Sequence, residues 1–134
     1  NFSNAQIADL TSAQVVTLGA SLTTPQVANL TAGQLSTAAV TALTTAGTLS
    51  AVATKVIAAL STTQVNNLST GQLADLSTGQ VQAISATDLK AISTTTISNL
   101  STSVLALLTY TQVSSMTSAQ IGVLSSAQIQ SLAV

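Results

Sequence analysis

The sequence has almost no charged side chains and lacks the most reactive ones. It includes no His, Cys, Trp, Glu or Arg, and five side chains carry charge: Asp9, Lys55, Asp75, Asp88 and Lys90. The absence of His and Cys excludes nearly every zinc, haem and thiol site, and most nucleophile–base pairs. The three carboxylates are scattered, so they do not form the facing pair that a glycosidase-type site needs. We therefore expect no catalytic, cofactor-binding or metal-ligating residue, and no enzymatic activity.

The scarcity of charge and of long apolar runs also limits the partners. Two lysines far apart in the sequence cannot form a nucleic-acid footprint, because each neutralised phosphate requires its own Lys or Arg. The longest aliphatic runs are 56–60 and 104–108. A membrane span needs about 20 apolar residues, so none is expected. The absence of cysteine fits either a reducing compartment or a bacterial extracellular setting.

The residues that are present indicate an ordered chain. Hydrophobic residues make up 46% of the sequence, Ser and Thr supply most of the polar side chains, and the net charge is −1. Intrinsic disorder usually goes with low hydrophobicity or high net charge, and this chain has neither. The low-complexity composition therefore predicts a regular repeat structure.

An octapeptide repeat organises the chain as a single array over residues 1–134, as in the stretch LSTTQVNNLSTGQLADLSTGQVQAIS at 60–85. We number the eight positions of each unit as slots, with an aliphatic residue in slot one, Ser or Thr in slot two and Gln in slot five. Residues 1–35 follow the repeat with a slip at 19–21, residues 36–59 are a degenerate Ala/Thr-rich segment, and residues 60–134 are regular. In the degenerate segment we expect one longer helix from Leu49-Ser50 to Leu60. The repeat-like ends suggest a segment of a longer array.

Two independent patterns place the start of a helix at the same position in each unit. With slot two as the N-cap, Gln of slot five is the third helical residue, and the pair forms the capping box S/T-x-x-Q. The apolar residues of slots one and six then form a hydrophobic staple across the helix start. Pro25 falls at the second helical position, where its missing N–H costs little. Asp88 replaces Gln in slot five, and we expect it to serve as the capping-box partner of Ser85.

Short helices in this register predict an all-α fold. A helix of about eight residues is unstable alone, so its neighbours must stabilise it by packing. We expect a compact α-solenoid with two helices, and thus two octapeptide units, in each coil. The alternative is a β-solenoid, which Thr, Val and Ile favour and in which Gln or Thr could stack between rungs.

The phrase LTxxQVxxL, as in Leu22 to Leu30, resembles octapeptide tracts of very large bacterial secreted and surface proteins of the adhesin and haemolysin type. The resemblance covers residues 2–35 and 60–132, and it implies an exported, extended structural array. The stretch LTSAQVV at residues 10–16 is similar to the opening of a TAL-effector repeat. This chain departs from that family in its eight-residue period and in its lack of basic residues, so DNA binding is not expected.

These patterns lead to a structural function as the main hypothesis. We expect a segment or subunit of an extracellular or cell-surface bacterial fibre, stalk or adhesin that associates end to end, because a solenoid without polar caps exposes apolar slots at both ends. The alternative is an ice- or surface-binding solenoid that presents a Ser/Thr-rich face. The sequence does not identify a surface ligand.

Overall fold

The computed structural model describes residues 2–132, and this part of the chain is built from short helices without any β-strand. The all-α prediction is therefore confirmed, and the β-solenoid alternative is wrong. The α-helices are α1 (Asn4–Ala8), α2 (Ser12–Leu18), α3 (Thr24–Val27), α4 (Thr37–Ala46), α5 (Thr54–Ala59), α6 (Thr62–Asn66), α7 (Thr70–Asp75), α8 (Thr78–Ala83), α9 (Ala86–Ala91), α10 (Thr94–Ser98), α11 (Thr102–Leu105), α12 (Tyr110–Ser115), α13 (Ser118–Gly122) and α14 (Ser126–Ser131). Three 3-10 helices interrupt them, at Gly19–Ser21, Ala32–Gln34 and Leu49–Ala51.

The capping boxes predicted from the repeat are present. All ten glutamines of slot five accept a hydrogen bond from the N-cap N–H through Oε1, over 2.7 to 3.0 Å. At eight of these helix starts the Ser or Thr hydroxyl in turn accepts from the Gln N–H at 3.1 to 3.3 Å. Pro25 lies in the first turn of α3, as predicted. The repeat thus encodes a helix start in every unit.

A corner of two extended residues separates successive helices in the regular region. Leu76, for example, has φ −70° and ψ 144°, and the following Ser77 has φ −70° and ψ 163°. These extended residues turn the chain sharply while the slot-one side chain points into the core. Slots one and six supply most of the core, and the slot-six residues from Ile7 to Leu105 are buried. The staple residues of the sequence analysis are therefore the main core residues of the fold.

Each coil contains three helices, and thus three octapeptide units, so the prediction of two helices in each coil is wrong. The main contacts between coils in the regular region join a helix to the third helix along the chain: α5 to α8, α6 to α9, α9 to α12, α10 to α13, and α11 to α14. An eight-residue repeat is compatible with any whole number of units in a coil. The number is decided by how far the chain turns at each corner, which the repeat length does not specify.

The degenerate segment also differs from the prediction. In place of one helix from Leu49 to Leu60, the 3-10 helix Leu49–Ala51 is followed by an extended corner at Val52 and Ala53, and then by α5. Val52 thus takes the place of a slot-one leucine although no Ser or Thr follows it. The longest helix of the described residues is α4, which is capped at its C-terminal end by Gly47 with φ 75°, a left-handed conformation that glycine adopts without strain.

The slip at 19–21 brings two elements unusually close together. There the 3-10 helix Gly19–Ser21 packs against α4. A Cβ atom on Gly19 would lie 2.7 Å from the Cβ of Ala42, so only glycine fits at this contact. The slip makes this coil shorter than three full octapeptides, and its packing therefore depends on a residue without a side chain.

Candidate functional site

The slot-five glutamines link successive coils in addition to capping their own helices. Gln112 is representative: its Oε1 accepts from the N-cap N–H of Thr109 at 2.9 Å, and its Nε2 donates to the carbonyls of Val81 and Ile84 at 2.8 and 2.9 Å. Those two carbonyls flank the corner that lies one coil earlier. The Gln112 Oε1 also accepts from the Thr109 hydroxyl at 3.3 Å. The buried amide therefore has partners on both its oxygen and its nitrogen, which avoids the cost of an unsatisfied buried amide.

Six glutamines donate in this way, and we call the set the glutamine ladder. All of them donate toward the N-terminal side of the molecule, to the carbonyl of a corner residue and to a carbonyl that lies two or three residues before it. The pairs are Gln34 with Ile7 and Leu10, Gln64 with Ala32 and Leu35, Gln80 with Leu49 and Val52, Gln112 with Val81 and Ile84, Gln120 with Leu89 and Ile92, and Gln128 with Ser98 and Leu100. These bonds measure 2.7 to 3.0 Å. Because every donor lies on the C-terminal side of its acceptors, the ladder has a fixed direction along the solenoid.

Gln72 forms a capping box but no bond to the preceding coil among the described residues. The residue that lies three octapeptides before its corner Leu68 is Thr44, which is inside α4 and not at a corner. The ladder therefore requires a corner on the opposing coil as well as a glutamine.

The prediction that Asp88 completes a capping box is wrong. The Ser85 hydroxyl accepts from the N–H of Asp88 at 3.1 Å, but the described residues include no bond from the Ser85 N–H back to the carboxylate. The Asp side chain is one carbon shorter than that of Gln, so it reaches back less easily. Asp88 is nevertheless buried, whereas Lys90 of the same helix is exposed.

The other charged residues do not gather at one place. Asp9, Asp75 and Lys55 are exposed on different coils, and the described residues contain no group of three potential metal ligands. Lys55 borders a cavity of about 420 Å³ with Leu30, Val56 and several alanines, and Asp75 borders one of about 330 Å³ with Thr44 and Ser50. Each cavity has a single charged side chain, so neither one combines the groups that an acid–base pair requires.

The two ends of the described chain expose apolar residues of the repeat. Near the N-terminus Phe2 is 44% exposed and Val16 is 37% exposed. In the last coil, residues 108–131, Val123 is 40% exposed and the slot-six residue Ile129 is 50% exposed. The corresponding slot-six residue one coil earlier, Leu105, is fully buried because α14 covers it. These end surfaces are the strongest candidate for a functional surface.

The inter-coil role of glutamine was not predicted, although the sequence contains a signal for it. Glu fits a capping box as well as Gln does, and it interacts more favourably with the positive end of the helix dipole. Yet slot five holds Gln ten times and the chain contains no Glu. The use of Gln and never Glu at these ten positions indicates that the amide N–H donors are needed.

None of the described helices is both long and apolar enough to cross a membrane. Comparison with known proteins adds no further identification: no family model matches the sequence, and no curated protein or solved structure shows significant similarity to it.

Proposed function

We propose that the chain is a structural element, a segment or subunit of an extracellular or cell-surface bacterial fibre, stalk or adhesin that extends by end-to-end stacking of its coils. The observation that carries this proposal is the contrast between interior and end coils. Interior coils bury their slot-six residues, while the half-exposed Ile129 of the last coil has the same place in the repeat. A further coil would bury it in the way that α14 buries Leu105.

The low charge of the surface supports the same proposal. With five charged side chains in the whole chain, Ser, Thr and Ala are the main surface residues. Association between such surfaces depends on burial of apolar groups and on neutral hydrogen bonds, which salt screens little. We therefore expect the assembly to persist at high ionic strength. The extracellular bacterial location follows from the resemblance of the octapeptide phrase to surface-protein tracts.

Negative-stain electron microscopy of natively purified protein, combined with analytical ultracentrifugation over a concentration series, tests the proposal. We expect long unbranched threads one solenoid wide, and a mean mass that rises with concentration at both low and high salt. Separate short rods that keep the mass of one chain at the highest soluble concentration would contradict it.

The alternative of an ice- or surface-binding face stays a prediction that the arrangement of side chains does not favour. The three-unit coil places Thr63, Thr87 and Thr111 at equivalent exposed positions, which gives one rank of threonine. The adjacent rank consists of Thr62, Ala86 and Tyr110, so it is irregular in size and chemistry. Thermal hysteresis in a solution of the purified protein, measured near 0 °C, would support this alternative.

A further inference from the structure

The two ends of the solenoid differ in chemistry because each coil presents different groups to its two neighbours. Gln of slot five donates to the coil on its N-terminal side, as Gln120 does to Leu89 and Ile92. The slot-six side chain is instead covered by the coil on its C-terminal side. This second relation is visible in the last coil, where Gln128 is buried but its neighbour Ile129 is half exposed. A contact between two coils that the glutamine ladder joins therefore has two different sides: the C-terminal coil supplies the donors and the N-terminal coil supplies the acceptors.

The N-terminal surface of the described residues presents unused donors, and we call it the donor end. Gln6 and Gln14 each use Oε1 to accept from their own N-cap at 2.8 Å, and both side chains are exposed. Their Nε2 groups have no acceptor among the described residues, although the equivalent groups of Gln112 and Gln120 each donate to two carbonyls around a corner. The donor end thus carries amide N–H groups held in place by their capping boxes.

The C-terminal surface presents the matching acceptors, and we call it the acceptor end. The carbonyls of Val113 and Met116 flank one corner of the last coil, and those of Ile121 and Leu124 flank the next. One coil earlier, two carbonyls around each of the corners at Ile92 and Leu100 accept from Gln120 and Gln128, namely those of Leu89 and Ile92 and those of Ser98 and Leu100. In the last coil no described side chain donates to the four carbonyls around the corners at Met116 and Leu124. The half-exposed Ile129 and the exposed Val123 lie on the same coil.

We infer that two copies of this chain join only in one polarity, with the donor end of one copy on the acceptor end of the next. This inference rests on the function proposed above. Gln6 of one copy donates to Val113 and Met116 of the other, and Gln14 donates to Ile121 and Leu124. The spacing agrees, because Gln6 and Gln14 are separated by one octapeptide, as are the glutamines that serve neighbouring corners within the ladder.

The same chemistry excludes symmetric pairing. Two donor ends would place amide N–H groups against each other, and two acceptor ends would place carbonyl oxygens against each other, which leaves polar groups buried without partners. A joint between unlike ends does not close on itself, so it produces an open filament and not a two-fold dimer. The filament therefore has a direction, with different chemistry at its two tips.

Two blocked variants test this polarity. Gln6→Glu combined with Gln14→Glu blocks the donor end: each carboxylate keeps the oxygen that caps its helix, suits the helix dipole, and loses the N–H donors. Ile129→Asp blocks the acceptor end by placing a charge on the half-exposed surface, and Val123→Asp serves as an independent second variant. A matched control, Thr63→Asp with Ser103→Asp, adds two negative charges at exposed positions along the side of the rod.

Each blocked variant should associate about 100-fold more weakly than the unmodified chain, since an unpaired carboxylate buried in the joint is strongly unfavourable. The control should assemble like the unmodified chain. An equimolar mixture of donor-blocked and acceptor-blocked protein should give dimers and nothing longer, because one intact donor end meets one intact acceptor end. Circular dichroism should show equal helix content in all variants.

The outcomes separate the two proposals. If the unmodified chain assembles but the mixture of blocked variants stays monomeric, the polarity is wrong while the structural function stands. If either blocked variant alone forms dimers of the same stability as the mixture, the joint is symmetric and the inference is again overturned. If the unmodified chain stays monomeric at every concentration, the proposed function itself fails.

Discussion

Two successive joints in the regular part of the solenoid are held together by different means. We call the contact between two successive coils a joint, and each glutamine that donates across it a rung. The joint between the last coil, residues 108–131, and the coil before it contains three rungs, from Gln112, Gln120 and Gln128. The joint one coil earlier, below residues 84–107, has none, because Asp88, Thr96 and Val104 occupy slot five there. Both joints nevertheless pack a helix against the third one along the chain, α6 on α9 in the earlier joint and α9 on α12 in the later one. The ladder is therefore not required for the path of the chain.

The joint without rungs is linked by two single side-chain bonds in other positions. The Asn66 side chain accepts from the N–H of Ser93 at 2.9 Å and thus replaces the missing capping-box oxygen of α10. Gln82 donates to the carbonyl of Leu107 at 3.1 Å from an exposed position. Apolar packing fixes the coil geometry in both joints, whereas the ladder adds buried hydrogen bonds that reward one register of stacking.

The largest expected effect comes from removing a rung. Gln120→Leu should lower the free energy of unfolding by about 3 kcal/mol, because it removes half of a capping box and leaves the carbonyls of Leu89 and Ile92 without a side-chain donor. Gln14→Leu is the matched control, since Gln14 forms a capping box but no inter-coil bond in the described part of the chain. The control should cost about 1 kcal/mol.

Urea unfolding followed by far-UV circular dichroism measures both variants on chains that are kept monomeric. Equal losses for Gln120→Leu and Gln14→Leu would show that the inter-coil bonds contribute nothing to stability.

The second prediction concerns a gain in stability when a rung is added to the joint that lacks rungs. Asp88→Gln should raise the free energy of unfolding by about 1.5 kcal/mol, because the longer amide can complete the capping box of Ser85 and donate to the carbonyls around the corner at Leu60. Asp75→Gln removes the same charge at an exposed position and should change stability by less than about 0.5 kcal/mol. A loss of stability in Asp88→Gln would indicate that this joint cannot accommodate a rung.

The smallest effect is expected at the substitute cap. Asn66→Ala removes the acceptor of the Ser93 N–H and should cost about 1 kcal/mol. Its neighbour Asn67 is exposed and forms no side-chain hydrogen bond among the described residues, so Asn67→Ala should be nearly neutral. Native-state hydrogen exchange of the Ser93 amide provides a second readout, and unchanged protection in Asn66→Ala would contradict the assignment.

The features predicted from sequence are those that depend on residues close together in the chain. The capping box and staple join residues three to five positions apart, so Ser77, Gln80 and Val81 define the start of α8 without reference to the rest of the fold. The size of the coil depends instead on contacts between units that are three repeats apart and on the turn at each corner. The longer helix from Leu49 was predicted wrongly because Val52 makes a corner without the Ser or Thr that marks the others.

The candidate functional surfaces at the two ends were likewise predictable only in part. The exposed apolar slots at the ends follow directly from the repeat, and Ile129 is found exposed as that reasoning implies. The direction of the ladder was beyond sequence analysis, because the repeat does not indicate which neighbouring coil receives the Gln80 amide. The avoidance of Glu in slot five was the available signal, and it indicates a need for donors but not where they point.

The ladder also affects how a gene for such a chain can change in length. Because the corners of the regular region present similar carbonyls, loss or gain of one whole octapeptide there would rotate the later helices by one side of the coil and still place glutamines over corners. Other lengths do not have this freedom. The coil between Leu10 and Leu30 is half a repeat short, and Gln34 still reaches the carbonyls of Ile7 and Leu10. That coil is the one in which Gly19 must touch Ala42 without a side chain. Recombination between repeats would therefore pass easily in steps of eight codons, and the half-repeat step in this chain goes with a glycine at its tightest contact.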